Sequence, residues 1–173
     1  MANTYVVPVD FSKTSDAALD HAIKLRKENN GKLLLIHALS NSAMMMAGPY
    51  EATPQMIIEY EKAQHEEAQS QMEKLVRQKK LEPGTFRSMV ARRGDPARVI
   101  ANEAKKSRAN MIIMGSHGRT GLKRLVLGSV AERTLRYANC PVLIVKNSMR
   151  SRSRPAVARD KGVRLQRRKP NAT

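Results

Sequence analysis

Residues 111–130, MIIMGSHGRTGLKRLVLGSV, carry the two signals that decide the fold. The first signal is the apolar run at 111–114, which is as short as a β-strand and shows no polar alternation. Such a strand is typical of a parallel sheet that helices cover on both faces. The second signal is the glycine-rich stretch that follows, because it ends at Gly128-Ser129, where a helix is predicted to begin. Together they predict one strand–loop–helix unit of an α/β protein.

The same alternation of strand and helix continues on both sides of this stretch. Apolar strands are predicted at residues 5–9, 32–38 and 142–145, and a weakly alternating outer strand at 86–92. The helices between them begin near residues 12–15, 53 and 96, and the last of these has Asp95 as its cap and Pro96 in its first turn. Five strands joined by helices indicate an open, Rossmann-like parallel sheet with helices on both faces.

The charge of the chain is large but unevenly distributed. The 173 residues hold 32 Lys and Arg against 15 Asp and Glu, a net charge of +17. Residues 147–173 contain nine basic residues and one acidic residue, so this short segment carries +8 and residues 1–146 carry +9. We therefore expect a folded domain at 1–146 followed by a basic, flexible tail at 147–173.

Several classes of protein are disfavoured by composition. No apolar run approaches the roughly 20 residues that span a bilayer, and the N-terminus lacks the pattern of a signal peptide, so we expect a cytoplasmic protein without a membrane anchor. The lone Cys140 cannot form an internal disulfide and is interpreted as a buried structural thiol. The four histidines have no metal-ligand spacing, and an aromatic content of 3% argues against platforms that stack nucleic-acid bases.

The glycine-rich stretch also has the chemistry of a phosphate site. Gly115, Gly118 and Gly121 lack a Cβ atom, so the backbone can approach a ligand closely. Gly128-Ser129 opens a helix whose free N–H groups and positive dipole end suit an anion. Basic side chains that would neutralise phosphate lie between these glycines: Arg119, Lys123 and Arg124. The spacing fits neither a Walker A loop nor the dinucleotide fingerprint, which disfavours P-loop phosphoryl transfer and hydride transfer.

The spacing Gly115-x2-Gly118-x9-Gly128-Ser129 resembles the ATP-binding motif of the universal stress protein family at every fixed position. Other segments are similar to the same family, in the same order along the chain. They are Val7-Pro-Val-Asp10-Phe-Ser12, Leu34-Leu-Ile-His-Ala38, Gly94-Asp-Pro96 and Pro141-Val-Leu-Ile-Val145. The resemblance covers residues 3–146 and does not include the tail.

This resemblance implies an adenine nucleotide alpha hydrolase-like sheet in which the first and fourth strands are neighbours, so that Asp10 faces Gly115. It also implies ATP as the ligand. The adenosine would contact Val9, Asp10 and Ala38, and the ribose and phosphates would contact Met114, Gly115, Gly118, Gly128, Ser129 and Val130. Magnesium would arrive with the phosphates, with Asp10 as the available carboxylate. The ATP-binding branch of the family is similar in forming homodimers through its last strand, here Val142–Val145.

Two positions depart from the family pattern. Asn110 stands where an aspartate is common before the fourth strand, and Ala38 stands where a valine is common. Asn110 is expected to be distant from the phosphates, and adenine at Ala38 is expected to be held by backbone, so neither departure changes the predicted site.

The function that the resemblance implies for the domain at 1–146 is that of a nucleotide-binding, stress-response or regulatory module that binds ATP. No catalytic triad, carboxylate pair or kinase loop set is present in the sequence, so the sequence names no catalytic residue. Two alternatives stay open at this stage. One is a slow ATPase or phosphotransferase that uses the same pocket, and the other is a nucleic-acid-associated protein that binds phosphates through the basic tail. The choice between ATP and another adenine nucleotide also stays open.

Overall fold

The computed structural model describes residues 3–39, 53–91, 94–118 and 127–146. Five strands and four helices alternate through these ranges. The strands are β1 (Thr4–Pro8), β2 (Lys32–Ala38), β3 (Phe86–Ala91), β4 (Met111–Gly115) and β5 (Val142–Val145). The helices are α1 (Lys13–Glu28), α2 (Pro54–Gln78), α3 (Pro96–Lys106) and α4 (Ser129–Tyr137). The predicted tail at 147–173, Gly121 and the basic residues Arg119, Lys123 and Arg124 lie outside the described residues.

The strands form one parallel sheet in the order β3-β2-β1-β4-β5. β1 pairs with β2 on one side, where Val7 lies opposite Leu35, and with β4 on the other, where Val6 lies opposite Ile112. The expectation that the first and fourth strands are neighbours is confirmed. From β1 the chain continues to β2 and β3 on one side of β1, and it then crosses to β4 on the other side. This reversal of strand order opens a crevice at the carboxyl ends of β1 and β4.

Two apolar layers cover the two faces of the sheet, as the unbroken apolar strands predict. On one face, alternate residues of β1 and β2 pack with Leu19 of α1 and Met72 of α2. On the other face, the intervening residues pack with Ile100 of α3 and Ala131 of α4. The helices thus lie on both faces, as expected, and the crevice between β1 and β4 belongs to the face of α3 and α4.

The helix starts follow the predicted capping residues. Ser12, Thr53 and Asp95 each accept a hydrogen bond from a backbone N–H in the first turn of α1, α2 and α3. The first strand begins at Thr4 and ends at Pro8, so each end lies one residue earlier than predicted. The N–H of Val9 still donates to the carbonyl of Ile36 at 2.8 Å, so the backbone remains fixed as far as the site.

One ion-pair cluster fastens the end of α2 to α1. The Lys79 ammonium lies 2.7 Å from Asp16 Oδ1 and 2.6 Å from Asp20 Oδ1, with only 15% of the lysine side chain exposed. Burial alone would lower the pKa of Lys79, but the hydrogen bonds and charges of the two aspartates outweigh it and raise the pKa above the ordinary 10.5. The cluster therefore favours the charged lysine in the folded state.

Within the described ranges, none of the helices has the length and apolar content needed to cross a bilayer.

Candidate functional site

A cavity of about 160 Å³ lies at the carboxyl edge of the sheet, in the crevice between β1 and β4. Its floor comes from alternate residues of three strands, which point to the face of α3 and α4. Its sides come from the loops after β1 and β4 and from the first turns of α1, α3 and α4. The lining residues are Pro8, Val9, Asp10, Ser15, Ile36, Ala38, Pro96, Ile100, Met114, Gly115, His117, Gly118 and Val130.

Seven of the nine residues predicted for the site line this one cavity. They are Val9, Asp10, Ala38, Met114, Gly115, Gly118 and Val130. The other two, Gly128 and Ser129, are not among its lining residues but immediately precede Val130 at the start of α4. The structure therefore brings together residues from β1, β2, β4 and α4 that lie as much as 121 positions apart in the sequence.

Asp10 is oriented by the loop between β1 and α1. One carboxylate oxygen, Oδ1, accepts a hydrogen bond from the Ser12 N–H at 3.0 Å. The other, Oδ2, points towards the loop after β4, where a Cβ added to Gly118 would lie only 2.9 Å from it. Gly118 is thus the position at which the absence of a side chain lets the two loops meet. The carboxylate is placed between the ends of β1 and β4, as the switch point requires.

His37 and Phe11 support this loop from the opposite side. His37 is buried, and its Nδ1 lies 2.6 Å from the Val9 carbonyl oxygen. The Phe11 ring stacks on the imidazole at 4.7 Å between ring centroids. Phe11 adopts a φ of 61°, a left-handed conformation that a bulky residue rarely takes. The stacking and the hydrogen bond hold this turn, so His37 is a buried histidine whose contacts are structural.

The N-terminus of α4 has no side-chain cap. Its N-cap residue is Gly128, which has no side chain to accept a hydrogen bond from the N–H groups of the first turn. The first N–H groups of a helix have no partner within the helix, so they remain as donors beside Val130 in the cavity wall. This arrangement suits an anion, for which backbone N–H groups and the helix dipole act together.

Gly128 has a second role that its motif did not reveal. Its N–H donates to the Ser116 carbonyl at 2.8 Å, which fastens the start of α4 to the loop after β4. A Cβ at this position would lie 3.2 Å from the Ser116 oxygen and 3.3 Å from the His117 Cα. The glycine therefore permits close packing of backbone on backbone, whether or not a ligand approaches. A valine at this position would disturb the loop as well as the ligand site.

His117 is a lining residue whose side chain is more enclosed than its loop position indicated. Its Nδ1 lies 2.9 Å from Ser116 Oγ, and its carbonyl accepts a hydrogen bond from the Thr14 hydroxyl of α1. Its Nε2 is buried and has no hydrogen-bond partner in the described part of the chain. The presence of a histidine here is therefore not explained by a preference of exposed loops for polar side chains.

Sequence reasoning missed the wall that α3 contributes. Pro96 and Ile100 line the cavity, yet the sequence assigned Asp95 and Pro96 only to the start of a helix. A signal was available, because a helix that starts directly after β3 must begin at the same carboxyl edge as the ends of β1 and β4. Ile36 was also missed, although it lies two residues before Ala38 and so points to the same face.

A larger cavity of about 600 Å³ lies on the opposite face of the sheet, between α1 and α2. It shares Val9 and Ser15 with the smaller cavity, and the rest of its lining comes mostly from polar side chains of the two helices, such as Lys74 and Gln71. It includes neither the glycine-rich loop nor the N-terminus of α4. Its greater volume reflects a groove between two helices, so the smaller cavity is the better candidate for a nucleotide site.

The donors in the smaller cavity suit a magnesium ion only together with phosphate oxygens. Asp10 is the single carboxylate among its described lining residues. No cluster of three His, Cys, Asp or Glu side chains that could hold a metal occurs among the residues that the structure describes. Magnesium prefers six oxygen ligands and is often held by one or two carboxylates plus phosphates. The residues present therefore fit a magnesium ion that is carried by a nucleotide.

Comparison with known proteins agrees with this geometry. The profile of the universal stress protein family matches residues 1–146. The chain belongs to this family. Among its relatives, the universal stress protein MJ0531 of Methanocaldococcus jannaschii is 37% identical over 141 residues, which cover 82% of this chain and 80% of that protein.

Solved structures of the family share the fold. The structure of MJ0577, from the same archaeon, superposes with a TM-score of 0.72 at 29% identity, covering 84% of this chain and 96% of that one. The universal stress protein of Archaeoglobus fulgidus in complex with dAMP superposes with a TM-score of 0.51 at 23% identity, covering 84% and 98%. The predicted family and the predicted fold class, an α/β domain with a five-stranded parallel sheet, are confirmed.

Proposed function

We propose that this universal stress protein binds ATP in the cavity between β1 and β4 and acts as a nucleotide-dependent stress-response or regulatory module in the cytoplasm. One observation carries the proposal: an uncapped helix N-terminus, an oriented carboxylate and an apolar floor converge on one cavity at the switch point of the sheet. The complex of the A. fulgidus relative with dAMP supports an adenine nucleotide as the class of ligand.

The shape of the cavity suggests how the nucleotide would lie. A volume of about 160 Å³ is below the roughly 300 Å³ at which typical small-molecule pockets begin. We therefore assign only the adenosine to the cavity, with its adenine against Val9, Asp10 and Ala38 and its ribose beside Met114 and Gly115. The phosphates would extend past Gly118 towards the start of α4. There the N–H groups of the first turn and the Ser129 hydroxyl would donate hydrogen bonds to them.

Asp10 and His117 are the titratable side chains among the described lining residues. Any acid or base chemistry at the site would depend on these two side chains. When bound, a magnesium ion would neutralise phosphate charge. Asp10 accepts a hydrogen bond from Ser12, which holds its carboxylate in place for such an ion or for a ribose hydroxyl. A slow ATPase activity is the alternative at the same site. Phosphate release by the wild type that exceeds release by Asp10→Asn would favour it.

The proposed position of the phosphates is tested by placing a carboxylate at the start of α4. In Ser129→Asp, the new negative charge would occupy the N–H groups and repel phosphate, so we expect at least tenfold weaker binding of ATP by calorimetry. Adenosine should bind with nearly unchanged affinity, because it lacks the phosphates that the N–H groups of the first turn of α4 would bind.

Gln55→Asp is the matched control for this substitution. It adds the same charge to the first turn of α2, where residue 55 is exposed and lies outside the cavity lining. This variant should bind both ligands as the wild type does. Equal ATP affinity in Ser129→Asp and the wild type would overturn the phosphate assignment, and no ATP binding by the wild type at millimolar concentration would overturn the function.

The basic tail supports a second, separate candidate function. Nine Lys and Arg residues within 147–173 would attract the phosphate backbone of nucleic acid, with an affinity that falls steeply as salt rises. Replacing Arg167, Arg168 and Lys169 of the full chain by glutamine should then weaken DNA binding at low salt and reduce its salt dependence. Unchanged DNA binding would contradict this second function, but it would not affect the proposal that the cavity binds a nucleotide.

A further inference from the structure

The ion pair between Asp95 and Arg133 joins the two helices that form one wall of the cavity. Arg133 Nη1 donates to Asp95 Oδ2 at 3.1 Å, and Arg133 Nη2 lies 3.0 Å from Asp95 Oδ1. The first contact is a charge-assisted hydrogen bond, and the second brings the other terminal nitrogen within ion-pair distance of the other carboxylate oxygen. The ion pair connects the N-cap of α3 to the middle of α4.

The pair is partly enclosed at the junction of the two helices. Arg133 exposes 43% of its side chain and Asp95 exposes 23%, and Asp95 Oδ1 also accepts the Ala97 N–H at 3.1 Å as the cap of α3. On the other side, Arg133 Nε is buried without a hydrogen-bond partner among the described residues. The arginine is therefore held at the helix junction through its terminal nitrogens, and both of these bind Asp95.

Each partner lies next to a residue that lines the cavity. Pro96 follows Asp95 directly, and Val130 lies three residues before Arg133, on the same side of α4. A shift of α3 away from α4 would therefore separate Pro96 from Val130 and widen the cavity. Of the polar contacts that the structure describes between α3 and α4, the ion pair is the one nearest to Pro96 and Val130. We therefore expect it to set the distance between these two residues.

The other polar contact between the two helices provides a comparison. The Arg98 guanidinium lies 4.8 Å from the centre of the Tyr137 ring, at the far end of α4. Neither residue is among the lining residues, and Tyr137 lies two helical turns from Val130. This contact also joins α3 to α4, but it does so away from the cavity.

We propose that Arg133 is a positioning residue for nucleotide binding: by clamping Asp95, it sets the separation of α3 and α4 and so the fit of the adenosine. This inference rests on the proposed function of the cavity. Because Pro96 and Ile100 of this wall face the adenosine, loss of the clamp should weaken the binding of adenosine as well as that of ATP. This effect differs from that of Ser129→Asp, which should weaken ATP alone.

The test uses the full chain with Arg133→Met and with Asp95→Asn, which removes the charge and retains a good N-cap. We expect each variant to bind both ATP and adenosine about tenfold more weakly, and the double variant to bind no more weakly than either single one. Arg133→Lys, which keeps the charge but not the two-point contact, should recover part of the loss.

Tyr137→Leu is the matched control, because it removes the ring contact between α3 and α4 and keeps Arg98, whose Nε also lies 4.0 Å from Asp95 Oδ2. It should lower the melting temperature without changing either dissociation constant. Wild-type affinity in Arg133→Met and Asp95→Asn, or an equal loss in Tyr137→Leu, would overturn the positioning role while the proposed function stands. A wild type that binds neither ligand would overturn both.

Discussion

At the scale of single residues, the position of the Asp10 carboxylate depends on two neighbouring residues. The Ser12 N–H binds one carboxylate oxygen, and the bare Cα of Gly118 leaves space for the other. Asn110 makes a similar contact at the amino ends of β1 and β4, where its Oδ1 accepts a hydrogen bond from the Thr4 N–H at 2.8 Å. An aspartate would offer the same acceptor, which explains in physical terms why this departure from the family pattern is tolerated.

Gly118→Ala should weaken ATP binding by displacing the Asp10 carboxylate. The new Cβ would lie 2.9 Å from Oδ2, closer than carbon and oxygen normally approach, so the side chain must rotate away. We expect about tenfold weaker binding by calorimetry and a small change in melting temperature.

The double variant Gly118→Ala, Asp10→Ala identifies the cause of this loss. Once the carboxylate is removed, the added methyl group has nothing to displace. The double variant should therefore bind ATP as weakly as Asp10→Ala does, and not more weakly. Additive losses would show that Gly118 acts through a contact other than Asp10.

At the scale of elements, the sequence predicted those features that depend on residues close together in the chain, and it missed those that depend on how the helices pack. The caps Ser12, Thr53 and Asp95 act within one turn, so the sequence located three helix starts. The wall formed by Pro96 and Ile100 depends on where α3 lies across the sheet, and no local pattern states that. The contact of Arg133 with Asp95 spans 38 positions and two helices, so it was invisible before the fold was known.

Lys79→Met should reduce stability by about 1 kcal/mol at neutral pH, because it removes the clamp between α2 and α1 while both aspartates stay half-exposed to solvent. The raised pKa of Lys79 means that the folded state holds this proton more tightly than the unfolded state does. The contribution is therefore complete below pH 10.5 and is lost as the pH rises through the folded-state pKa.

The measurement is urea unfolding of the wild type and Lys79→Met between pH 7 and pH 11.5. The two unfolding free energies should differ at pH 7 and converge at the alkaline end. Lys74→Met, on an exposed position of α2 without an ion pair, controls for loss of charge and should match the wild type throughout. A difference that persists at high pH would assign the effect of Lys79 to packing.

At the scale of the whole molecule, the two edges of the sheet differ in character. β3 exposes Arg87 and Ser88, whereas β5 consists of four half-buried aliphatic residues, Val142–Val145. Leu135 and Tyr137 of the adjacent α4 are also exposed, at 44% and 37%. An apolar edge strand with unpaired backbone groups invites pairing with another chain. These features support the proposal that the protein forms a homodimer through β5.

Val142→Lys should convert this dimer to a monomer, because it places a charge in the apolar strand that the second copy would cover. Sedimentation velocity at micromolar concentration is the measurement, with the wild type expected to sediment as a dimer. Ser88→Lys places the same charge on the opposite edge and should leave the dimer intact. A wild-type monomer, or a dimer that survives Val142→Lys, would contradict pairing through β5.

The bare N-terminus of α4 has a thermodynamic consequence for the whole chain. The other three helices carry their own caps, whereas Gly128, the N-cap residue of α4, has no side chain to serve as one. A ligand whose anionic group binds there would stabilise the folded state, by about 2.7 kcal/mol when its concentration reaches one hundred times Kd. If the proposed nucleotide is that ligand, the free energy of unfolding would rise with nucleotide concentration, and thermal unfolding would report the occupancy of the site.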